Sequence, residues 1–401
     1  MAIVTISGDL TEALDLVGGN TYSLTALCNL GSYNVTSTTV GPNSRVTVKT
    51  NGTSGFRINS TGTWNTSYID FTSKNDLSRG EDVGGSGSPA AGDQTVGYLI
   101  QTGTSASSIT MSNFTVNYCT PATQTPAIGH LANSTSTPWT LTNGRFSYVT
   151  VANGTGDATV IIGTAGPSSV FIGNVALTNV HVDDTCQINQ TTGSAAIRVL
   201  NYGTLSLTDV TVRYTGTGNR SIETYCNSGT HTINMTNVTS DAKSSSGIYS
   251  GVFFNCNGVV ENITISRCFM RNSTGHGFNF FNNGGTQTAT IINSLITGCS
   301  TGGTYGVYRS LGSASVTHTY NDYYDNANNC FEALHGTEKT TNPGLANLPA
   351  GCVIKTSTCD RPDGYAITGY DKNGSDTFDN LVVNEAVYSG RRDGSTPVRI
   401  L

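Results

Sequence analysis

Two stretches of this 401-residue chain carry side chains that could do acid–base work. "VDDTC" sets Asp183 beside Asp184, and "TGHGF" holds His276 between Gly275 and Gly277. A carboxylic acid and a carboxylate flanking one glycosidic bond can cleave it: one protonates the leaving oxygen, the other activates water or attacks the sugar. An imidazole nearby can carry the proton. Both jobs need the groups within a few ångströms of one bond, yet Asp184 and His276 are 92 residues apart. A lyase would instead need an acidic cluster for Ca²⁺ and an Arg or Lys base. The nearest acids for that are Asp209 and Glu223. No Gly-x-Ser-x-Gly, phosphate loop or zinc spacing occurs, so no cofactor and no metal is expected. The pattern commits to no catalytic set, and Asp183, Asp184 and His276 stand as the fallback.

Whether any of these groups meet depends on the elements between them, and those elements repeat. "ITMSNFTV", "WTLTNGRF", "VALTNVHV", "LSLTDVTV", "INMTNVTS", "ITISRCFM" and "ATIINSLI" share one alternating phrase. Their fifth positions are Asn113, Asn143, Asn179, Asp209, Asn237, Arg267 and Asn293, spaced by 30, 36, 30, 28, 30 and 26 residues. A weaker copy, "VTHTYNDY", follows at 316–323, and "YIDFTSKN", ending at Asn75, is read as an earlier one. A strand-rich unit of this period predicts a stacked architecture, with each repeat one coil of a parallel β-helix. Strands in successive coils then lie about 4.8 Å apart, and roughly eleven coils before residue 330 make a rod on the order of 50 Å long. On that spacing Asp184 and His276 are about three coils, or roughly 15 Å, apart. Asn tolerates the left-handed backbone of a bend and can bond to its neighbours above and below. Asn113, Asn143, Asn179, Asp209, Asn237 and Asn293 are therefore read as a structural ladder, with Arg267 breaking it.

A second phrase interleaves with the first and ends at Asn201, Asn227, Asn255, Asn282 and Ser310. Two residues before each lie Val199, Tyr225, Phe253, Phe280 and Tyr308. This apolar column predicts an aromatic stack in the core. An outer platform for sugar rings is the alternative.

Composition agrees with strands. Only 11% of residues are charged and 47 are Gly, whereas long amphipathic helices need Glu, Lys, Arg, Leu and Ala. The net charge is −6 with 20 Lys and Arg and no basic run, which argues against a nucleic-acid partner. Apolar runs fall short of a membrane span, so no membrane insertion is expected. The start, "MAIVTISGDLTEALDLVGG", carries Asp9, Glu12 and Asp15 where a leader would be apolar, and the expectation is release without secretory processing. None of the ten cysteines forms a CxxC pair. Cys119, Cys268 and Cys299 keep register with the repeat and read as small buried hydrophobes. Cys330, Cys352 and Cys359 lie outside it and are the best disulfide candidates.

The repeat, its Asn bends and its strand-rich coils resemble the right-handed parallel β-helix superfamily: pectate-lyase-like enzymes, bacterial adhesins, and phage tailspikes and other virion proteins. The resemblance covers residues 100–325 well and 1–100 loosely. It implies an all-β, single-chain right-handed parallel β-helix with coils of about 26–36 residues and a C-terminal non-repeat tail. Polygalacturonases in this superfamily pair Asp residues with a Gly-His-Gly motif about one coil away, and here the two motifs are three coils apart. The expected organisation is an N-terminal cap and early coils over 1–100 with a Gly-rich insertion at 78–93. Regular coils follow over 101–330, then a cap or docking tail over 331–401.

The tail is chemically distinct, since residues 355–401 hold 13 of the 46 charged side chains. Arg391, Arg392 and Asp393 could form ion pairs between chains. The expected function is a bacteriophage virion structural protein: a surface spike, fibre or head-decoration protein on the virion surface, non-enzymatic. Its expected partners are itself as a homotrimer, other virion proteins and a host surface glycan. Two other readings compete: a β-helical polysaccharide lyase or glycoside hydrolase, and a bacterial surface adhesin or filament subunit.

Overall fold

The computed structural model describes residues 2–340 apart from 51, 53–54, 59–60, 91–92, 97–98, 103–107, 122–125, 131–137, 152–158, 162–172, 184, 189–194, 215–219, 243–250, 272–274, 300–302, 313, 325, 337 and 339; beyond 340 it describes 381–383 and 398–400. The described residues are all strand, bridge, turn and loop, with one single-residue 3₁₀ position and no α-helix. Parallel strands stack as a β-solenoid. One twenty-stranded sheet is folded lengthwise into two faces, and an eleven-stranded sheet from Leu27–Asn29 to Asn328–Cys330 closes the third side.

The alternating phrase explains the first face. In Thr230–Thr236, Val260–Ser266 and Thr286–Ile292 every second side chain is buried, as a strand with one face on the core requires. In-register pairing stacks these inward residues into columns. Ile109, Trp139, Val175, Leu205, Ile233, Ile263, Ala289 and Val316 form one. Met111, Leu141, Leu177, Leu207, Met235, Ile265, Ile291 and His318 form the next.

The fifth position of the phrase is where the chain turns onto the second face. Asn113, Asn143, Asn179, Asp209, Asn237, Arg267 and Asn293 all have φ between 51° and 56°. The register extends this column to Thr39, Tyr68 and Tyr320, which share the positive φ. The early copy is thus centred on Tyr68, in "WNTSYIDF", and not on the phrase ending at Asn75. Side-chain amides link three adjoining pairs of the column. Asn143 Nδ2 donates to Asn113 Oδ1 at 3.1 Å, Asn179 Nδ2 to Asn143 Oδ1 at 2.8 Å, and Asn237 Nδ2 to Asp209 Oδ1 at 2.9 Å. On either side of Arg267 the buried Oδ1 atoms of Asn237 and Asn293 accept no hydrogen bond.

The aromatic column divides. Pairing in the third sheet aligns Val199 with Thr224, Phe254 and Phe280, while Arg198 aligns with Glu223, Phe253, Asn279 and Tyr308. Tyr225 aligns with Leu200, Asn255 and Phe281. Residues grouped by the Asn-x-Gly phrase therefore sit on three neighbouring columns. The number of residues between strand and turn varies from coil to coil, and a slip of one moves a side chain to the opposite face. The core stack is Phe254 on Phe280, with centroids 5.0 Å apart and rings 17° from parallel.

The Gly-rich insertion covers the outside of the second face. Gly80, at φ +61°, runs so close to Thr21 and Thr47 that a Cβ would meet the Thr21 hydroxyl at 2.5 Å. The Glu81 amide donates to that hydroxyl, and Asp82 Oδ1 accepts from the Gly84 and Gly85 amides.

The ladder break gives a stability prediction. Arg267→Asn supplies a donor to Asn237 Oδ1 and an acceptor for Asn293, in a backbone that Asn tolerates better than Arg. It should stabilise the fold by about 1 kcal/mol in denaturant titrations, whereas Asn237→Leu should cost about 1–3 kcal/mol. An Arg267→Asn variant no more stable than the parent would mean the side-chain ladder adds nothing.

Candidate functional site

The two motifs that could cut a glycan lie on different sheets. Asp183 follows the strand Val175–Val182 on the second face. His276 leads into Phe278–Asn283 of the third sheet, after Phe269–Arg271. The second-face strands Thr211–Tyr214 and Thr239–Ala242 come between Val175–Val182 and Phe269–Arg271. Asp184 lies outside the described residues.

Asp183 is saturated. Its Oδ2 accepts from Arg145 Nε at 2.8 Å, lies 2.7 Å from a second Arg145 nitrogen, and accepts from Ser147 Oγ at 2.5 Å. Its Oδ1 accepts from the Thr185 amide at 3.0 Å and the Thr185 hydroxyl at 2.5 Å. The carboxylate is 5% exposed and closes an Asx turn while clamping the coil before it. Of the other two acids, Asp209 is a ladder member and Glu223 is buried between Arg198 and Arg220.

His276 is buried too. Its Nδ1 accepts from the Tyr305 amide at 3.0 Å, and its ring stacks on Tyr308 at 4.0 Å between centroids. Burial lowers its pKa to about 4, and a proton on Nδ1 would break the Tyr305 bond. This ring holds a bend; it is not placed to relay a proton to Asp183.

The surface that could hold a ligand follows the Asn ladder, but no motif marks its charged residues. A groove of about 390 Å³ runs along the bend column, lined by Arg45, Tyr68, Asp70, Arg79, Arg145 and His181 together with Asn113, Asn143 and Asn179. It adjoins a second hollow of about 460 Å³ that reaches Gly19 and Ser78. Register builds its floor, because Asp70, Thr115, Arg145 and His181 are consecutive members of one outward column. Arg45 grips Asp70 through two 2.8 Å bonds and donates to the Asn113 carbonyl at 2.7 Å. Arg79 comes from the Gly-rich insertion and lies 3.3 Å from Asp70 and 3.7 Å from Asp76. His181 Nε2 is 2.7 Å from Asn179 Oδ1. Three guanidiniums thus face three carboxylates, Asp70, Asp76 and Asp183, and the groove is polar without a large net charge.

An aromatic pair lies on the same side of the coils, across the second face from the bend column. Tyr118 and Tyr148 stack at 4.7 Å, 11° from parallel, both in left-handed backbone at the end of the second face. Tyr148 is 45% exposed. Tyr118 lies within the fields of Asp76 and Arg79, and burial raises its pKa.

Arg391, Arg392 and Asp393, read as assembly residues, lie outside the described residues; the nearby strands Leu381–Val383 and Val398–Ile400 pair antiparallel. Among the described residues no cluster of three His, Cys, Asp or Glu could hold a metal ion. No family model matches the chain, and no curated protein matches it.

The buried imidazole predicts a pH dependence. A folded-state pKa near 4 against an ordinary 6.5 means His276 leaves stability intact above pH 6.5, and that stability is lost as pH falls from 6.5 through 4. His276→Gln should flatten the pH profile, so that its stability relative to the parent rises by about 1–3 kcal/mol between pH 7 and pH 4 in urea titrations. Parallel profiles for the two proteins would contradict a neutral buried ring.

Proposed function

We propose that this chain is a β-solenoid rod on the surface of a bacteriophage virion, a spike, fibre or decoration protein, which holds a hydroxyl-rich glycan along its bend column. The observation that carries the reading is the groove. Fixed guanidinium–carboxylate pairs and side-chain amides offer planar donors and acceptors to sugar hydroxyls. The stacked Tyr118–Tyr148 pair offers a flat face to a sugar ring. Matched charge favours a neutral glycan over a polyanion.

Binding without cleavage is supported by the state of the acids. Asp70 accepts from Arg45 and from the Thr115 hydroxyl at 2.6 Å, and Asp183 has both oxygens occupied. Neither is left to protonate a leaving group or attack a sugar. The cysteines favour a virion protein over an exported adhesin. All eight described cysteines are free and seven are fully buried, which suits folding in a reducing host cytoplasm before release. Self-association is proposed to be threefold, with the charged tail docking the rod to other virion proteins.

The test is a glycan array probed with the purified chain. Tyr148→Ala and Arg79→Ala should each weaken the best ligand by about 10-fold or more while leaving the unfolding midpoint near that of the parent. Light scattering should return three times the chain mass, and antibody to the chain should label purified particles. Release of new reducing ends, abolished by Asp70→Asn or Asp183→Asn, would replace this reading with that of a glycoside hydrolase.

A further inference from the structure

The far end of the solenoid holds three groups that neither the ladder nor the groove uses. Cys330 ends the strand Asn328–Cys330, which terminates the third sheet in sequence order. His318 ends the inward column of Met111, occupying the place that Ile291 has one coil earlier. Glu338 comes from the segment after that strand, in which Phe331 and Leu334 pack on the core. Cys330 Sγ is 3.5 Å from His318 Nε2, and His318 Nδ1 is 2.8 Å from Glu338 Oε2. Glu338 is fixed in turn by the Asn321 side chain at 3.0 Å and the His335 amide at 2.9 Å. Thiol, imidazole and carboxylate therefore stand in the order of an activated nucleophile, its base and an orienting acid. The contacts with Cys330 and Glu338 push the imidazole's pKa up to about 10.

The other described cysteines supply the contrast. Cys28, Cys119, Cys186, Cys226, Cys256, Cys268 and Cys299 are fully buried, and burial pushes Cys268 and Cys299 up to about 12. Cys330 alone among them is half-buried. The neighbouring amide of Phe331 is committed to the Val307 carbonyl at 3.0 Å. That leaves it unable to stabilise an acyl oxyanion, but substitution at sulfur needs no such donor.

We infer that Cys330 is a nucleophilic thiol activated by His318 and Glu338, and that it is a site of S-thiolation by low-molecular-weight disulfides. Its sulfur attacks one sulfur of the disulfide. A protein–S–S–R bond forms as the reagent's own S–S bond breaks. The displaced thiolate takes up the proton that left Cys330, delivered from His318 Nε2, so one thiol replaces another and no further oxidant is needed. The added group would stand between His318 and the Phe331–Leu334 segment, and thiolation should loosen this end of the stack. This goes beyond the proposed glycan-binding role and does not depend on it.

The experiment uses the full chain carrying Cys352→Ser and Cys359→Ser, treated with glutathione disulfide or 5,5′-dithiobis(2-nitrobenzoic acid) at pH 7. One thiol should react at least about 10-fold faster than free glutathione does with the same reagent, and Cys330→Ser should abolish the reaction. Glu338→Gln and His318→Gln should slow it by about 10-fold or more in protein whose unfolding midpoint shows it folded. The thiolated protein should also unfold at lower temperature than the free thiol. If His318→Gln fails to fold, Glu338→Gln decides. If that fails too, the parent rate against glutathione decides alone. A parent rate no greater than that of glutathione, or a folded variant that reacts as fast as the parent, overturns the inference and leaves the three residues as an end cap only.

Discussion

A residue held in the left-handed backbone region at the same bend, from Thr39 through Tyr320, sets the path of successive coils. At Asn113, Asn143, Asn179, Asp209 and Asn237 the chain leaves the first face and enters the second at an angle, while its amides continue to pair with neighbouring coils. A β-branched or bulky residue pays for that conformation, and Asn or Asp pays least because its short polar side chain bonds locally. Stacked at about 4.8 Å, the side-chain amides of adjoining Asn residues are within reach of one another, so the residue that best tolerates the bend also links the coils. Inward alternation on each side of the bend then falls into register, and the apolar columns follow.

The same geometry decides what chemistry the surface can do. In a solenoid, groups act together when they share a column or adjoining columns on one face. Asp70, Thr115, Arg145 and His181 meet that condition, and Asp183 and His276 do not. Where acids approach the groove, guanidiniums and hydroxyls meet them at 2.5–2.8 Å. Those contacts fix the floor of the groove and give it shape and hydrogen-bonding capacity without a free acid. In the last described coil polar side chains occupy inward positions; His318 and Cys330 lie there.

The ladder was legible in the sequence because one backbone requirement selects one small set of residues at a nearly constant spacing. The aromatic column was only partly legible. Phe253 and Phe254 are both apolar neighbours on opposite faces, and the Asn-x-Gly turn that seemed to fix their register has variable length. Phe254, not Phe253, belongs in the core stack with Phe280. The groove left no sequence signal. Arg45, Asp70 and Asn113 come from coils separated by unequal loops and an insertion, and Arg79 belongs to the insertion itself. Likewise, Cys330, His318 and Glu338 converge only because the segment after Cys330, through Phe331 and Leu334, packs back on the core.

Side-chain amides along the bend column bind one coil to the next. A double-mutant cycle on Asn143 and Asn179 tests it most directly, because their amides are joined by a single 2.8 Å bond and each side chain faces the groove. Asn143→Ala, Asn179→Ala and the double variant would be unfolded in urea under identical conditions. The expected coupling energy is about 1 kcal/mol, with the double variant less destabilised than the two single variants added together. Strict additivity, within about 0.3 kcal/mol, would contradict it and reduce the column to a set of independent bends.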